Sequence, residues 1–259
     1  MREDSIVSFA SLLYDAAATK IAVRPLTELD GNLSIDDAYA IQLKNVERAI
    51  KEGKKISGKK IGLTSEGIQK QLGVNEPDYG HLFTDMEYPD GKIPRGGFLQ
   101  PKIEAEIAFV LKADLTGGNI TREDVLDATD YVIGAFEIVD SRVADWKIKL
   151  IDTVADNASS GCYILGSEKI NPRELCLPDV GMELYKNGEL IGQGTGAAVL
   201  GDPSIAVAWL ANRLLGYGVT LKKGEVILSG AFSAAPAAEK GDVFEARFTG
   251  LGEVKAEFI

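Results

Sequence analysis

Residues 101–111 read Pro-Lys-Ile-Glu-Ala-Glu-Ile-Ala-Phe-Val-Leu, and this alternation constrains the chain more than any other segment. Ile103, Ala105, Ile107, Phe109 and Leu111 fall on one face of a period-two strand, and Glu104, Glu106, Ala108 and Val110 on the other. The first face belongs in a core. Glu104 and Glu106 then share the second, with Cα atoms roughly 7 Å apart. Two readings fit that spacing: a half-solvated strand with two surface acids, or two carboxylates converging on one cation. Acids held this close repel each other unless a metal or a Lys/Arg neutralises them. A third acid, Glu137, lies in Ala135-Phe136-Glu137-Ile138-Val139, inside a β-rich run from Val132 to Val139. A Glu amid apolar strand residues is costly to bury unless it is paired or metal-bound. Three carboxylates on one side of an octahedral ion leave three positions for water or substrate, which suits Mg²⁺ or Mn²⁺ acting as a Lewis acid.

Composition narrows the alternatives. The 259 residues carry 28 Lys+Arg against 39 Asp+Glu, a formal net charge of −11. That balance argues against nucleic acid and against an anionic membrane surface as partners, since both need clustered cations. An acidic substrate then requires a local cation, either a buried Lys/Arg or a metal ion. One His and two separated Cys make a tetrahedral zinc site a poor reading, and any nucleophile–His hydrolase would rest on His81 alone. Met1-Arg2-Glu3-Asp4 is no secretory start, and the longest apolar run, Ile205 to Ala211, is far too short to span a membrane. Cys162 and Cys176, both beside apolar residues, read as buried reduced thiols in a cytoplasmic protein.

The first fifty residues read as helical. Ile6, Phe9, Ala10, Leu13 and Ala17 recur at helical spacing after a cap at Asp4 or Ser5. A second helix starts at Ser34 with Asp37 as its capping-box partner and stops at Gly53. A short helix from Thr64 or Ser65 to Gly73 is expected next, then turn chemistry from Asn75 to Gly80. Thr121-Arg122-Glu123-Asp124 opens another helix. Asn187-Gly188 predicts a type I′ hairpin, and Asp202 caps a helix with Pro203 at its first position, running to about Leu215. That last helix is apolar nearly all round, so either the β-rich body or another subunit must cover it. The rest, from Val226, is Gly-punctuated strand. No GxGxxG follows a strand, so a Rossmann cofactor domain is not supported. The pattern gives one α+β domain, with a helical part over 1–55 and a β-rich body over 56–259.

Three other segments carry candidate chemistry. In Gly58-Lys59-Lys60-Ile61-Gly62, Lys60 reads either as a solvated lysine or as one drawn to an anionic site to hold a carboxylate or relay a proton. The small polar run Asp152 to Gly161 predicts a tight turn whose N–H groups could receive an oxyanion. Leu228 to Ala234 reads as a strand entering a small-residue turn.

Taken together, IGLTSEGIQKQLGVNEPDYGHLFTDM, PKIEAEIAFVL and FEIVDSRVADWKIKLIDTVADNASSG, in this order and spacing, resemble the 2-keto-4-pentenoate hydratase family of the fumarylacetoacetate hydrolase superfamily. The sister 4-oxalocrotonate decarboxylases share much of the pattern, and the resemblance runs from about Ile41 to Ile259. It implies a helical N-terminal region followed by a mixed β-roll body. It implies Mg²⁺ or Mn²⁺ held by Glu104, Glu106 and Glu137. Lys60, Asp78, Asp156 and Ser159 or Ser160 match the family's other site positions. The implied reaction is addition of water at C4 of a 2-hydroxydienoate in its 2-oxo form, giving a 4-hydroxy-2-oxo acid. Decarboxylation of a 2-oxo-hexenedioate on the same scaffold is the second reading. C–C bond hydrolysis, which commonly uses a His near the metal, and a non-catalytic subunit associated with a pathway enzyme are the weaker ones. The resemblance also implies a homo-oligomer, and because the candidate residues all lie between Lys60 and Ser160 of a single domain, each site is expected to be complete within one chain.

Overall fold

The computed structural model describes residues 2–259 apart from 66, 68, 71 and 72. Helices come first. Arg2–Thr19 (α1) starts earlier than the capping residues suggest, so Asp4 lies in its first turn beside Glu3, where acids favour the positive end of the helix dipole. Leu26–Leu29 (α2) is a single turn. Ile35–Lys51 (α3) begins at the expected box: Asp37 N donates to the Ser34 hydroxyl, and Ser34 N donates to the Asp37 carboxylate. Gly53, at φ 95°, turns the chain away after it. The short helix expected up to Gly73 falls largely outside the described residues.

The strands are Ile56–Gly62 (β1), Asp78–Phe83 (β2), Lys92–Ile93 (β3), Lys102–Leu111 (β4), Thr129–Val139 (β5), Ser160–Leu165 (β6), Gly181–Lys186 (β7), Glu189–Thr195 (β8), Val226–Ala231 (β9), Val243–Phe248 (β10) and Gly252–Phe258 (β11). Between them lie the helices Arg122–Ala128 (α4), Leu150–Ala155 (α5) and Pro203–Leu215 (α6). One sheet runs β2-β1-β9-β4-β5-β6, with β1 parallel to β9 and every other pair antiparallel. The other runs β3-β11-β10-β7-β8. Asn187 and Gly188, at φ 53° and 85°, form the expected hairpin turn between β7 and β8. This is the α+β, mixed-sheet arrangement that the sequence pattern implies.

The odd-numbered face of β4 enters the main core with Phe136, Phe244, Phe248 and Phe258. The even face is buried over its middle, at Glu106 and Ala108, and partly exposed at Lys102, Glu104 and Val110. It looks into the curl of the six-stranded sheet, where Ala108 packs with Leu82, Ile133, Ala135, Tyr163 and Leu228. Burial on both faces explains why the acids on β4 meet each other rather than water.

Two expectations need correction, and one open alternative resolves. Asp78, Tyr79 and Gly80 are strand rather than turn, because β2 pairs with β1 from its first residue, Asp78 opposite Gly62 and Gly80 opposite Lys60. Cys162 is buried, but Cys176 is exposed in the loop before β7. The chain itself covers most of α6: Ala206, Val207, Leu210, Ala211 and Leu214 are buried and only Ile205 among its large apolar side chains is 44% exposed. Among the described residues, no helix is long and apolar enough to cross a membrane.

Candidate active site

β4 and β5 are in register with Glu104 opposite Glu137, and Glu106 follows two residues on along the same face. One carboxylate oxygen from each of Glu104, Glu106 and Glu137 lies within 4.8 Å of the other two. Glu106 and Glu137 are fully buried, while Glu104 is partly exposed. β9 supplies a fixed donor, as Gly230 N donates to Glu106 Oε2 at 2.8 Å. Gly230 has φ 121°, and a Cβ there would meet the Thr64 hydroxyl at 2.3 Å, so only glycine fits. From β1, Lys60 Nζ lies 3.3 Å from Glu137 Oε1.

The electrostatics are unbalanced. Glu106 Oε1, both Glu137 oxygens and Asp78 Oδ1 are buried without a hydrogen bond, and Glu137 meets Lys60 as an ion pair only. Burial pushes Glu137 up to about 7 despite Lys60, and holds Glu106 well above the carboxylate range, with Glu137 and Glu104 adding repulsion. Burial also raises Glu104 and Asp78, in each case against the pull of Lys60. For Lys60 burial opposes the charge, but Glu137, Asp78, Glu104 and Glu106 outweigh it, so the ammonium is held above the ordinary lysine value.

Lys60, Asp78 and Glu104 open onto a cavity of about 500 Å³, together with Leu63, Thr153, Ser159, Trp146 and Lys102. Gly62 is required there. A Cβ on it would sit 2.3 Å from Asp78 Oδ1 and 3.4 Å from Lys60 Nζ. Thr153 Oγ1 donates to Asp78 Oδ2 at 3.4 Å and lies 3.3 Å from Ser159 Oγ, which reaches Asp156 Oδ2 at 3.4 Å.

The structure therefore brings Lys60, Asp78, Glu104, Glu106, Glu137 and Ser159 together. Asp156 and Ser160 stay outside the cavity lining and border a second hollow of about 400 Å³ behind the loop. Asp156 is ion-paired with Arg142, and Ser160 Oγ donates to Asn157 O at 3.0 Å. The expected free N–H groups of this turn are partly used, since Ser159 N donates to Asp156 O. His81 lies in register with Lys59, one residue from the Lys60 position, and its Nδ1 is 3.0 Å from Gln42 Oε1. Burial, then the Lys59 charge, pushes its pKa down to about 3, so it packs as a neutral ring.

Sequence reasoning missed Arg142 and Asn157. Asn157, Ala158 and Ser159 are three successive non-glycine residues in the left-handed region, at φ 56°, 51° and 53°. Such residues cost about 1–2 kcal/mol each, so the surroundings must hold them. Arg142 does so. Its backbone N and guanidinium bind the Asp156 carboxylate, and the guanidinium also donates to Asp140 O, Asp156 O and Ser160 O. The Asn157 amide pairs with His81 N and O and closes the free edge of β2, the strand carrying Asp78. The only sequence sign was an Arg three residues past an apolar strand, which many loops share.

The family described as Fumarylacetoacetate (FAA) hydrolase C-terminal matches residues 80–259. The 2-keto-4-pentenoate hydratase of Paraburkholderia xenovorans (strain LB400) is 51% identical over 250 residues, covering 96% of this chain and 93% of that protein. The 2-hydroxyhexa-2,4-dienoate hydratase of Comamonas testosteroni is 45% identical over 249 residues, with 95% and 94% covered. Among solved structures, the 4-oxalocrotonate decarboxylase from Pseudomonas putida G7, complexed with magnesium and adipate, superposes with a TM-score of 0.96 at 38% identity, covering 99% of this chain and 98% of that one. The glutamate strand pair, the mixed sheets and these relatives agree, and the chain belongs to the 2-keto-4-pentenoate hydratase family of the fumarylacetoacetate hydrolase superfamily.

Proposed function

We propose that this protein is a metal-dependent hydro-lyase that adds water to 2-hydroxypenta-2,4-dienoate, the dienol of 2-oxopent-4-enoate, to give 4-hydroxy-2-oxopentanoate in the meta-cleavage catabolism of aromatic compounds. The observation that carries this is the set of buried carboxylate oxygens without hydrogen bonds beside Lys60, at the wall of a substrate-sized cavity. The donors fit a hard divalent cation, being all oxygen and all anionic. Four carboxylates (Asp78, Glu104, Glu106, Glu137) against two lysines (Lys60, Lys102) leave 2 − 4 = −2, the charge that one such ion would neutralise. Glu104, Glu106 and Glu137 would hold Mg²⁺ or Mn²⁺, which supplies Lewis acidity toward the carboxylate and C2 oxygen of a 2-oxo acid.

The chain's own groups then handle protons. Lys60, kept charged by its carboxylate neighbours, donates to the substrate carbon skeleton: protonation at C5, with loss of the C2 hydroxyl proton, gives the conjugated 2-oxo form. Asp78, with Oδ1 free, accepts the proton of the water that bonds to C4. Protonation at C3 of the resulting enol completes the product. Thr153 and Ser159 orient Asp78 from behind. Gly62 leaves the space between Asp78 and Lys60 open. His81 has no part in this, which separates the site from a His-assisted C–C hydrolase. We also read the chain as a homo-oligomer with each site complete in one subunit, as all these groups come from one chain; a monomeric mass by light scattering would contradict the first half.

The test supplies 2-hydroxypenta-2,4-dienoate and 2-oxo-hex-3-enedioate separately with Mg²⁺. Consumption of the first without CO₂ release is expected. Faster consumption of the second, with CO₂, would make the protein a decarboxylase instead.

A further inference from the structure

β1 runs out at the cavity through a strained residue. Leu63 follows Gly62 with φ 57°, a left-handed conformation that costs a side-chain-bearing residue about 1–2 kcal/mol. Two hydrogen bonds hold the turn: Gln69 Nε2 donates to Leu63 O at 2.7 Å, and Leu200 N donates to Thr64 O at 3.1 Å. Thr64 is thereby set against Gly230 of β9, its hydroxyl oxygen 2.3 Å from where a Cβ on Gly230 would lie. Thr64 is only 4% exposed, yet it lines the cavity. Among the described residues its hydroxyl has no hydrogen-bond partner. The other buried hydroxyls of the lining, Thr153 and Ser159, are engaged with each other and with Asp78 and Asp156. A hydroxyl this deep without a partner is uncommon, and it marks a place for an acceptor from outside the chain.

The two flanks of the glutamate cluster differ. Lys60 meets Glu137, and Asp78 lies near Lys60 across the space that Gly62 leaves open. Thr64 stands at the other flank, against the glycine whose N–H holds Glu106. With C4 and C5 of the substrate at Asp78 and Lys60, the carboxylate end lies toward Thr64. We propose that the Thr64 hydroxyl donates a hydrogen bond to the C1 carboxylate of the 2-oxo acid substrate and so fixes which way round the substrate lies. This rests on the function proposed above in placing C4 and C5 at Asp78 and Lys60.

The probe is 2-oxopentanoate, which has the same carboxylate and 2-oxo group but no double bond for water to add to. Calorimetry follows its binding to the Mg²⁺-loaded protein. Thr64→Val keeps the shape and removes the hydroxyl, so affinity should fall about tenfold, the low end for a hydrogen bond to a charged group. Thr64→Ser should restore most of it. In neither variant should the melting temperature or the Mg²⁺ affinity of the ligand-free protein fall. With 2-hydroxypenta-2,4-dienoate, Thr64→Val should raise KM by a similar factor at nearly constant kcat, because this hydrogen bond is equally present before and during reaction. Unchanged binding of 2-oxopentanoate by Thr64→Val would overturn the proposal. So would weakened Mg²⁺ binding, which would make Thr64 a prop for Gly230 and Glu106, or a fall in kcat at constant KM, which would put the hydroxyl on the reacting carbons. Failure of the hydratase reading shows separately: the unaltered protein would leave 2-hydroxypenta-2,4-dienoate unhydrated while 2-oxopentanoate binding still depended on Thr64.

Discussion

Two buried ion pairs lie on either side of the loop at 156–161, and they are built on opposite principles. Arg142 and Asp156 are saturated: the guanidinium reaches three carbonyl oxygens besides the carboxylate, and Asp156 also receives Arg142 N at 2.9 Å. Lys60 and Glu137 are starved, with both Glu137 oxygens lacking a hydrogen bond and two more glutamates crowding the same space. A saturated pair holds backbone in place. A starved one is tolerated only where something else is meant to bind. The contrast separates the acids that shape the site from those that would do its chemistry, although Asp156, Glu106 and Glu137 are all buried.

Breaking the saturated pair should have the largest effect. Arg142→Met leaves the buried Asp156 carboxyl and three carbonyl oxygens without their donor behind three left-handed residues, so stability should fall by roughly 3–5 kcal/mol. Denaturant unfolding checks this, and a loss under ~1 kcal/mol would mean the loop holds itself. On the starved side, Lys60→Met should lower the hydration rate by roughly 10²-fold while the fold survives. An unchanged rate with a lowered melting temperature would make Lys60 structural.

Glu106→Gln sharpens the comparison further. Glutamine can still accept from Gly230 N but removes a buried charge, so metal affinity should drop by about tenfold or more. The melting temperature of the metal-free protein should not fall, in contrast to Arg142→Met. A smaller effect concerns pH. Without metal, Glu137 keeps its proton up to about 7, because burial outweighs the pull of Lys60. A ligand must be deprotonated to bind, so metal affinity should weaken as pH falls from 7 to 5, with more than one proton released per ion near pH 6, since Glu106 as well as Glu137 is held above the ordinary carboxylate range. Calorimetry in two buffers of different ionisation enthalpy reads the proton count, and a pH-independent affinity would contradict it. Least of all, His81→Gln should leave the rate nearly unchanged, since the neutral ring meets Gln42 and the Tyr79 ring and none of the cavity groups.

Where local rules act within a few residues, the sequence was readable. The Ser34–Asp37 and Thr121–Asp124 boxes, the Asn187-Gly188 turn and the Asp202-Pro203 start are all local chemistry. The glutamate cluster was readable for a related reason: period two places Glu104 and Glu106 on one face, and an apolar setting marks Glu137. What was not readable depends on pairing at long range. β1 meets β9 across the register Lys60 to Leu228, 168 residues apart, and only that register brings Lys60 and Gly230 to the glutamates. Asp78 was read as a turn residue because Asn75 to Gly80 has turn composition, yet strand pairing with β1 prevails. Asp156 entered the candidate site only through the family resemblance, since its small polar run by itself predicted a turn with N–H groups for an oxyanion. Its partner, Arg142, lies on another segment and turns it into an anchor.

The central claim is that the starved glutamates serve a cation on which hydration depends. It is tested most directly by treating the protein with a chelator, adding 2-hydroxypenta-2,4-dienoate and following loss of the dienol absorbance. No conversion is expected until Mg²⁺ or Mn²⁺ is restored, after which 4-hydroxy-2-oxopentanoate should accumulate. Full turnover by the metal-free protein, or an untouched substrate in the presence of either ion, would contradict the account.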